Sequence, residues 1–379
     1  MWIVWLMGFI ALPIIGVGYV SWHIWQLLPL SDLWRWVVIG VYGAMVLMMF
    51  AGFTGIIEHL PMRWATVVYD VGNSQIVVLL YLVLLFALLD ILVLLHLIPK
   101  TLLHANVYMS LGIIFFMTAL LLYGNWHYLN KYRQELFLTT DKIVSNVFNK
   151  KDKKIVLLSD LHLGYHNRRK ELSRWVDIIN AEHPDLILIG GDIIDISVRP
   201  LLEENMAEEF RRLEAPIYAC LGNHEYYSGE PKAQKFYKEA GITLLRDSVA
   251  IVDGVNIIGR DDRTNEHRLS LQQLIANADP QNYTILLDHQ PYHLEEAENA
   301  GVDFQFSGHT HDGQVWPISW LTKMMYEKSF GYIKKDNTDY YISSGMGIWG
   351  AKFRIDNDDY RKRTTCSYSF FQYQIITLY

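Results

Sequence analysis

Across its first 126 residues the chain carries only seven charged side chains: Asp32, Arg35, Glu58, Arg63, Asp70, Asp90 and Lys100. The apolar stretches between them are long enough to cross a bilayer, whose hydrocarbon core of roughly 30 Å needs about 20 helical residues. Four such stretches are expected to be transmembrane helices, at about 2–20, 36–57, 74–98 and 107–126. The first has no basic leading region and no small-x-small cleavage site, so it reads as a membrane helix and not as a signal peptide. The remaining residues hold 30 of the 33 basic and 36 of the 40 acidic side chains, an ordinary soluble composition. A fully soluble protein, an all-membrane transporter and a disordered or fibrous chain are thereby excluded. The expected organisation is a transmembrane domain over 1–130, a basic linker over 131–152 and a globular domain over 153–379.

Basic residues flanking the spans set orientation. Lys131, Arg133, Lys142, Lys150, Lys151, Lys153 and Lys154 follow the fourth span, so that flank and the globular domain are expected in the cytoplasm, as a multi-pass protein of an inner or plasma membrane. Trp2, Trp5, Trp34, Trp36, Trp126 and Tyr128 suit the interfacial belt. Asp90, inside the third span with no basic residue at that depth, reads as a helix-packing or near-interface residue rather than a proton relay. The globular part is net acidic, so no general nucleic-acid binding is expected, since that needs a basic face to displace counterions. Cys220 and Cys366 are the only cysteines, too few for a disulfide framework.

Beyond residue 150 short apolar runs alternate with polar stretches. Residues 155–162, 185–192, 217–225, 283–291 and 303–311 each read as a buried strand ending in a polar turn, with helices expected at about 167–182, 199–213, 231–239 and 269–277. The turns carry the chemistry. Asp160 and His162 stand at i and i+2, a spacing that puts both on one face of an extended segment. Gly190-Gly191-Asp192-Ile193-Ile194-Asp195, Gly222-Asn223-His224-Glu225, His289 and Gly308-His309-Thr310-His311 follow. A single Asp or His at a strand end often caps a helix or lines a turn. Five strands that each end in carboxylate, amide or imidazole groups form a donor set suited to borderline divalent metals.

These ordered blocks resemble the signature of the calcineurin-like metallophosphoesterase superfamily: D-x-H, G-D-x-x-D, G-N-H-[DE], a later His and G-H-x-H. The resemblance covers about residues 153–379. It implies an α/β domain built as a two-sheet β-sandwich flanked by helices. It also implies two divalent metal ions (Mn, Fe or Zn), one held by Asp160, His162, Asp192 and His311 and the other by Asp192, Asn223, His289 and His309. Asp192 would bridge them, and the pair would activate water against a phosphoryl group. His224 matches the family's non-ligand histidine, which stabilises the phosphoryl oxygen or protonates the leaving group, and Asp195 would support the ligands from behind. A narrower similarity is to the membrane-associated bacterial branch, where G-H-T-H precedes G-G-Q; here Asp312-Gly313-Gln314 departs from that pattern by an acid, and the stretch 356–370 departs as an insertion.

The expected function is therefore a membrane-anchored, two-metal phosphoesterase. Its expected partners are the lipid bilayer and a phosphomonoester or phosphodiester substrate, lipid or lipid-linked. Its rivals are a nuclease or cyclic-nucleotide phosphodiesterase, and a non-catalytic membrane scaffold or sensor. Arg260, in the Arg260-Asp261-Asp262-Arg263 turn, and His293 are candidate substrate contacts. After the last ligand block, Val315, Trp316, Trp320, Leu321, Met324 and Met325, interspersed with Lys323 and Lys328, suit a surface that meets a bilayer, with Trp320 and Lys323 as further candidate contacts.

Overall fold

The computed structural model describes residues 2–52, 54–140, 142, 153–355 and 372–378. It divides into two compact units, Met1–His127 with Gly350–Phe353, and Tyr128–Trp349 with Arg354–Tyr379. In the first unit four helices follow one another, α1 Trp2–Leu27, α2 Asp32–Met48, α3 Met62–Leu94 and α4 Val107–Leu129. Three stretches among the described residues are long and apolar enough to cross a membrane: Asp32–Ala51, Met62–Leu94 and Val107–Leu129. The first expected span, 2–20, falls on α1, which is not among those three; the side chains of its residues 2–10 lie outside the described set. All four helices begin or end beyond the expected bounds, α2 and α3 because a charged residue does not stop a helix. α2 starts on Asp32 and contains Arg35, and α3 contains Arg63 and Asp70.

Asp90 joins α3 to α1. Its Oδ2 accepts from the Tyr19 hydroxyl at 2.6 Å and lies 3.1 Å from His23 Nε2. His23 in turn stacks on Phe86 with ring centroids 4.4 Å apart. An acid in an apolar helix thus finds polar partners one helix away, as the cost of leaving it alone in hydrocarbon demands.

The second unit is built on two six-stranded sheets. Its strands are β1 Tyr132–Leu138, β2 Lys153–Leu158, β3 Leu186–Ile189, β4 Ile217–Ala219, β5 Thr243–Leu244, β6 Ser248–Val252, β7 Val255–Gly259, β8 Tyr283–Leu287, β9 Phe304–Ser307, β10 Gly331–Lys335, β11 Thr338–Ile342 and β12 Gln372–Leu378. One sheet runs β1-β12-β2-β3-β4-β5 and the other β10-β11-β9-β8-β7-β6. Strand alternation explains the layers. On β2, Ile155 and Leu157 pack with Ile285, Leu287, Phe304 and Phe306 of the other sheet. Val156 and Leu158 point the opposite way, into a cluster with Leu172, Trp175, Val176 and Ile179 of helix α5, Arg169–Ala181. On β8, Leu286 packs outward with Leu274, Leu294 and Ala297. The order is helices, sheet, sheet, helices, and strands buried on both faces are why the sequence shows unbroken apolar runs instead of alternation.

Three expectations change here. Residues 132–138, placed in a linker, form β1, which pairs in parallel with β12; a strand this short is completed by a partner more than 200 residues away, which local sequence does not reveal. The expected helix over 199–213 is two short helices, Arg199–Glu203 and Met206–Phe210, parted by Asn205 in the left-handed region at φ 51°. The helix expected over 269–277 is reduced to Leu271–Ile275, with Ser270 as its N-cap. Residues 141 and 143–152 of the expected linker and the inserted stretch 356–370 lie outside the described residues.

Candidate metal centre

Each expected ligand follows the carboxyl end of a strand: Asp160 and His162 after β2, Asp192 after β3, Asn223 after β4, His289 after β8, and His309 and His311 after β9. In sheets with parallel strands those ends are where loops from several strands converge. The two residues of the D-x-H block do not share the face of a strand, however. β2 stops at Leu158, and both Asp160 (φ 51°) and His162 (φ 44°) lie in the left-handed region, as do Asp192 (53°), His309 (71°) and His311 (49°). Each such residue costs about 1–3 kcal/mol, which a fold sustains only when its surroundings over-determine the conformation. Here they do: Asp160 N donates to Gly191 O and His162 N to Asp192 O, each at 3.0 Å, and Gly347 N donates to Asp160 O at 2.9 Å.

The side chains converge tightly. Asp160, His162 and His311 form one group, and Asp192, His289 and His309 another, each with one ligand atom per residue and all those atoms within 4.8 Å of one another. His162 Nε2 lies 3.0 Å from His311 Nε2, and Asp160 Oδ1 is 3.5 Å from His311 Nε2 and 3.9 Å from His162 Nε2. Asp192 Oδ2 touches both groups, 3.1 Å from His289 Nε2 and 3.7 Å from His162 Nε2. Asn223 Oδ1 lies 2.8 Å from His309 Nδ1. Two imidazole nitrogens facing each other beside buried carboxylates make poor hydrogen bonds among themselves, whereas a cation between them satisfies all of them. The buried Nδ1 of His311 has no hydrogen-bond partner among the described residues. These residues can hold a divalent metal.

Supporting contacts orient the rings. His289 Nδ1 is 2.7 Å from Gly190 O, so that nitrogen carries the proton and Nε2 is left to face Asp192. Asp195 Oδ1 lies 3.3 Å from the Nδ1 atoms of both His162 and His224. His224 is no member of the two ligand groups that share Asp192 or Asp160; with His162 and Asp195 it forms a third. Charge follows this layout. Burial alone raises a carboxyl, but His289, His224 and His162 hold Asp192 well below its usual value. Asp160, fully buried and close to the Asp192 charge, is raised. Burial opposes protonation of His224, yet Asp192 and Asp195 bring it up to about 9. Burial and the neighbouring His289 push His309 down to about 4, and burial with His162 pushes His311 well below the imidazole range. Neutral imidazoles are the form that ligates metal.

The other expected contacts lie elsewhere. Arg260 is buried, with Nη1 3.2 Å from Asp288 Oδ2 and 2.5 Å from Glu296 Oε2, so it is fixed in the fold and not presented at the cluster. His293 is exposed and pairs with Glu295 at 3.2 Å. Trp320 and Lys323 lie on the helix Ile318–Met325, both exposed. Asp312 is buried, and its Oδ1 accepts from Ser329 Oγ at 3.0 Å. One organising residue carries no motif signal. Arg354 is fully buried, and its Nη2 donates to the carbonyls of Ser344 (2.6 Å), Gly345 (3.0 Å) and Gly347 (3.3 Å), which fastens the loop that passes Asp160 and His311. Gly345 is needed in that loop: at φ 85°, a Cβ would stand 2.8 Å from Asp160 Cβ and 3.1 Å from His311 Nδ1.

Residues 153–313 match the family model for calcineurin-like phosphoesterases. An uncharacterised metallophosphoesterase of Aquifex aeolicus is 30% identical over 212 residues, covering 53% of this chain and 80% of its own. A second from Helicobacter pylori is 30% identical over 211 residues, 54% of this chain and 57% of its own. A transmembrane protein with metallophosphoesterase domain from Danio rerio is 30% identical over 221 residues, 53% of this chain and 50% of its own. The chain spans little more than half the length of several of the curated relatives it matches. The strand-end ligand blocks, their convergence and these matches agree: the chain belongs to the calcineurin-like metallophosphoesterase family.

Proposed function

We propose that this protein is a membrane-anchored phosphoesterase that hydrolyses a lipid or lipid-linked phosphomonoester or phosphodiester. The family is generally one of metal-dependent hydrolases. The proposed centre holds two divalent ions, one on Asp160, His162, Asp192 and His311 and the other on Asp192, Asn223, His289 and His309. When bound, such a pair supplies Lewis acidity toward a phosphoryl oxygen and a water of lowered pKa. The protein's own groups do the rest. Asp192 faces both ligand groups with one oxygen and so couples them. His224, anchored through Nδ1 by Asp195, keeps a proton on Nε2 that can be given to a phosphoryl oxygen or to the leaving alkoxide.

The observation that carries the lipid reading is the helix Ile318–Met325, which begins five residues after Gly313 and turns a row of large apolar side chains to solvent. Trp320 is 58% exposed, Leu321 51%, Met324 75% and Met325 67%. Exposed apolar residues clustered on one helix mark an interaction surface, and Trp and Met beside Lys323 and Lys328 suit a phospholipid interface. Four spans, with the catalytic unit in the cytoplasm, complete the proposal. Replacing Trp320 and Met324 together by Ser should lower turnover of a phospholipid in mixed micelles about tenfold, by loss of interfacial binding, and spare bis(4-nitrophenyl) phosphate. Equal losses on both substrates, or none on either, would reject the patch as a lipid-entry surface.

A further inference from the structure

The Arg260-Asp261-Asp262-Arg263 turn holds two arginines with opposite fates. Arg260 is held by two carboxylates. Arg263 has its guanidinium carbon 4.6 Å from the ring centroid of Tyr292, a cation–π contact. Its Nη1 is buried without a hydrogen-bond partner among the described residues. The nearby acids are already engaged: Asp262 accepts from Thr264 N, Thr264 Oγ1 and Gln290 Nε2, and Glu295 faces His293.

Tyr292 leads from this arginine to the metal centre. Its hydroxyl donates to Tyr326 Oη at 2.9 Å and its ring lies 4.9 Å from that of Tyr326. Tyr326 in turn meets the ring of the ligand His309 edge-on at 6.3 Å. Arg263 is close enough to act electrostatically on the Tyr326 phenol, opposing the upward push of burial and Tyr292. Tyr326 directly follows the exposed helix Ile318–Met325 and joins that helix to the contacts that run from Arg263 through Tyr292 to His309. We propose that Arg263, backed by Tyr292 and Tyr326, binds a second anionic group of the substrate, a phosphate or a carboxylate outside the scissile ester. A guanidinium held over an aromatic ring with an unpartnered N–H is the group that takes such an oxyanion. This rests on the phosphoesterase reading and narrows it: the preferred substrate is a diester whose second arm carries its own negative charge.

The test uses the full chain in detergent micelles with Mn(II) and three chromogenic diesters. One is bis(4-nitrophenyl) phosphate; the others are 4-nitrophenyl diesters whose second arm ends in a carboxylate or in a phosphate. Arg263→Gln should raise KM for one or both anionic-armed diesters about tenfold with kcat little changed, and leave bis(4-nitrophenyl) phosphate within about twofold, while Arg263→Lys restores part of the loss. Whichever arm responds identifies the anion. Unchanged thermal midpoints separate this from unfolding. Equal losses on all three substrates, or no loss on any, would overturn the assignment while leaving the phosphoesterase reading intact. Wild-type protein that loads metal but turns over none of the three would overturn that reading and the assignment with it.

Discussion

Asp192→Asn is the sharpest perturbation of the centre, because the substitution keeps shape and removes charge. The amide oxygen still accepts the His224 N–H that Asp192 Oδ1 accepts at 2.9 Å, so the backbone of the G-N-H-E turn has no reason to move. What disappears is the negative charge on an oxygen 3.1 Å from His289 Nε2 and 3.7 Å from His162 Nε2. Those histidines, with His224, hold the Asp192 carboxyl well below its usual value against the opposing effect of burial, and so favour the charged form that the substitution removes. Loss of outer-shell support alone weakens metal binding about 10–100-fold, and a carboxylate facing both ligand groups should cost at least the upper end of that range. Ligand binding stabilises by about 2.7 kcal/mol at a hundred times Kd. In a unit of this size each kcal/mol moves the midpoint by about 2–4 °C, so wild type should gain about 5–10 °C on addition of saturating Mn(II) or Zn(II). Differential scanning fluorimetry on the detergent-solubilised chain reads this directly. The Asn variant should gain almost nothing at the same metal concentration and should lose diester hydrolysis, whereas Asp160→Asn, which touches one ligand group, should keep part of the shift. A full metal-dependent shift with wild-type turnover in Asp192→Asn would refute the idea that this carboxylate couples the two groups.

His224→Ala should differ in kind, keeping bound metal by elemental analysis while kcat falls about 100-fold, since a positioned acid contributes about 10²–10⁴ to rate. Gly345→Ala should weaken metal binding about tenfold with the far-UV spectrum unchanged, because its methyl group presses on Asp160 and His311 in a backbone conformation that favours glycine. A reporter fused after Tyr379 should be active only as a cytoplasmic reporter; activity only on the opposite side would invert the proposed orientation.

The side chains that converge on the two candidate metal groups were legible in the sequence because each one follows an apolar run within its own strand and turn, so type and position could be read locally. The route by which they converge was not. Asp160 and His162 were expected to share the face of an extended segment, but the strand ends two residues earlier and left-handed turns do the aiming. Those turns are fixed by hydrogen bonds to Gly191, Asp192 and Gly347, partners that lie 30 to nearly 190 residues away. Helix bounds failed for a related reason: a charged residue ends a hydrophobic stretch, while the backbone ladder that makes the helix continues through it.

The arginines show most clearly where local reading stops. Arg354 follows no motif and stands just before the stretch read as inserted, yet it fastens three carbonyls of the loop beside Asp160 and His311. Its importance lies in burial, and an arginine is rarely buried unless its donors are taken up, a condition visible only once Ser344, Gly345 and Gly347 are brought to it. Arg260 and Arg263 are three residues apart in one charged turn, and nothing local tells them apart. Asp288 and Glu296 claim the first, so that its charge stabilises the fold. Tyr292 supports the second by a cation–π contact, and its buried Nη1 has no hydrogen-bond partner among the described residues. A charged turn beside a metal centre can therefore split its labour between structure and recognition, and the division follows from which carboxylates the neighbouring strand and helix deliver.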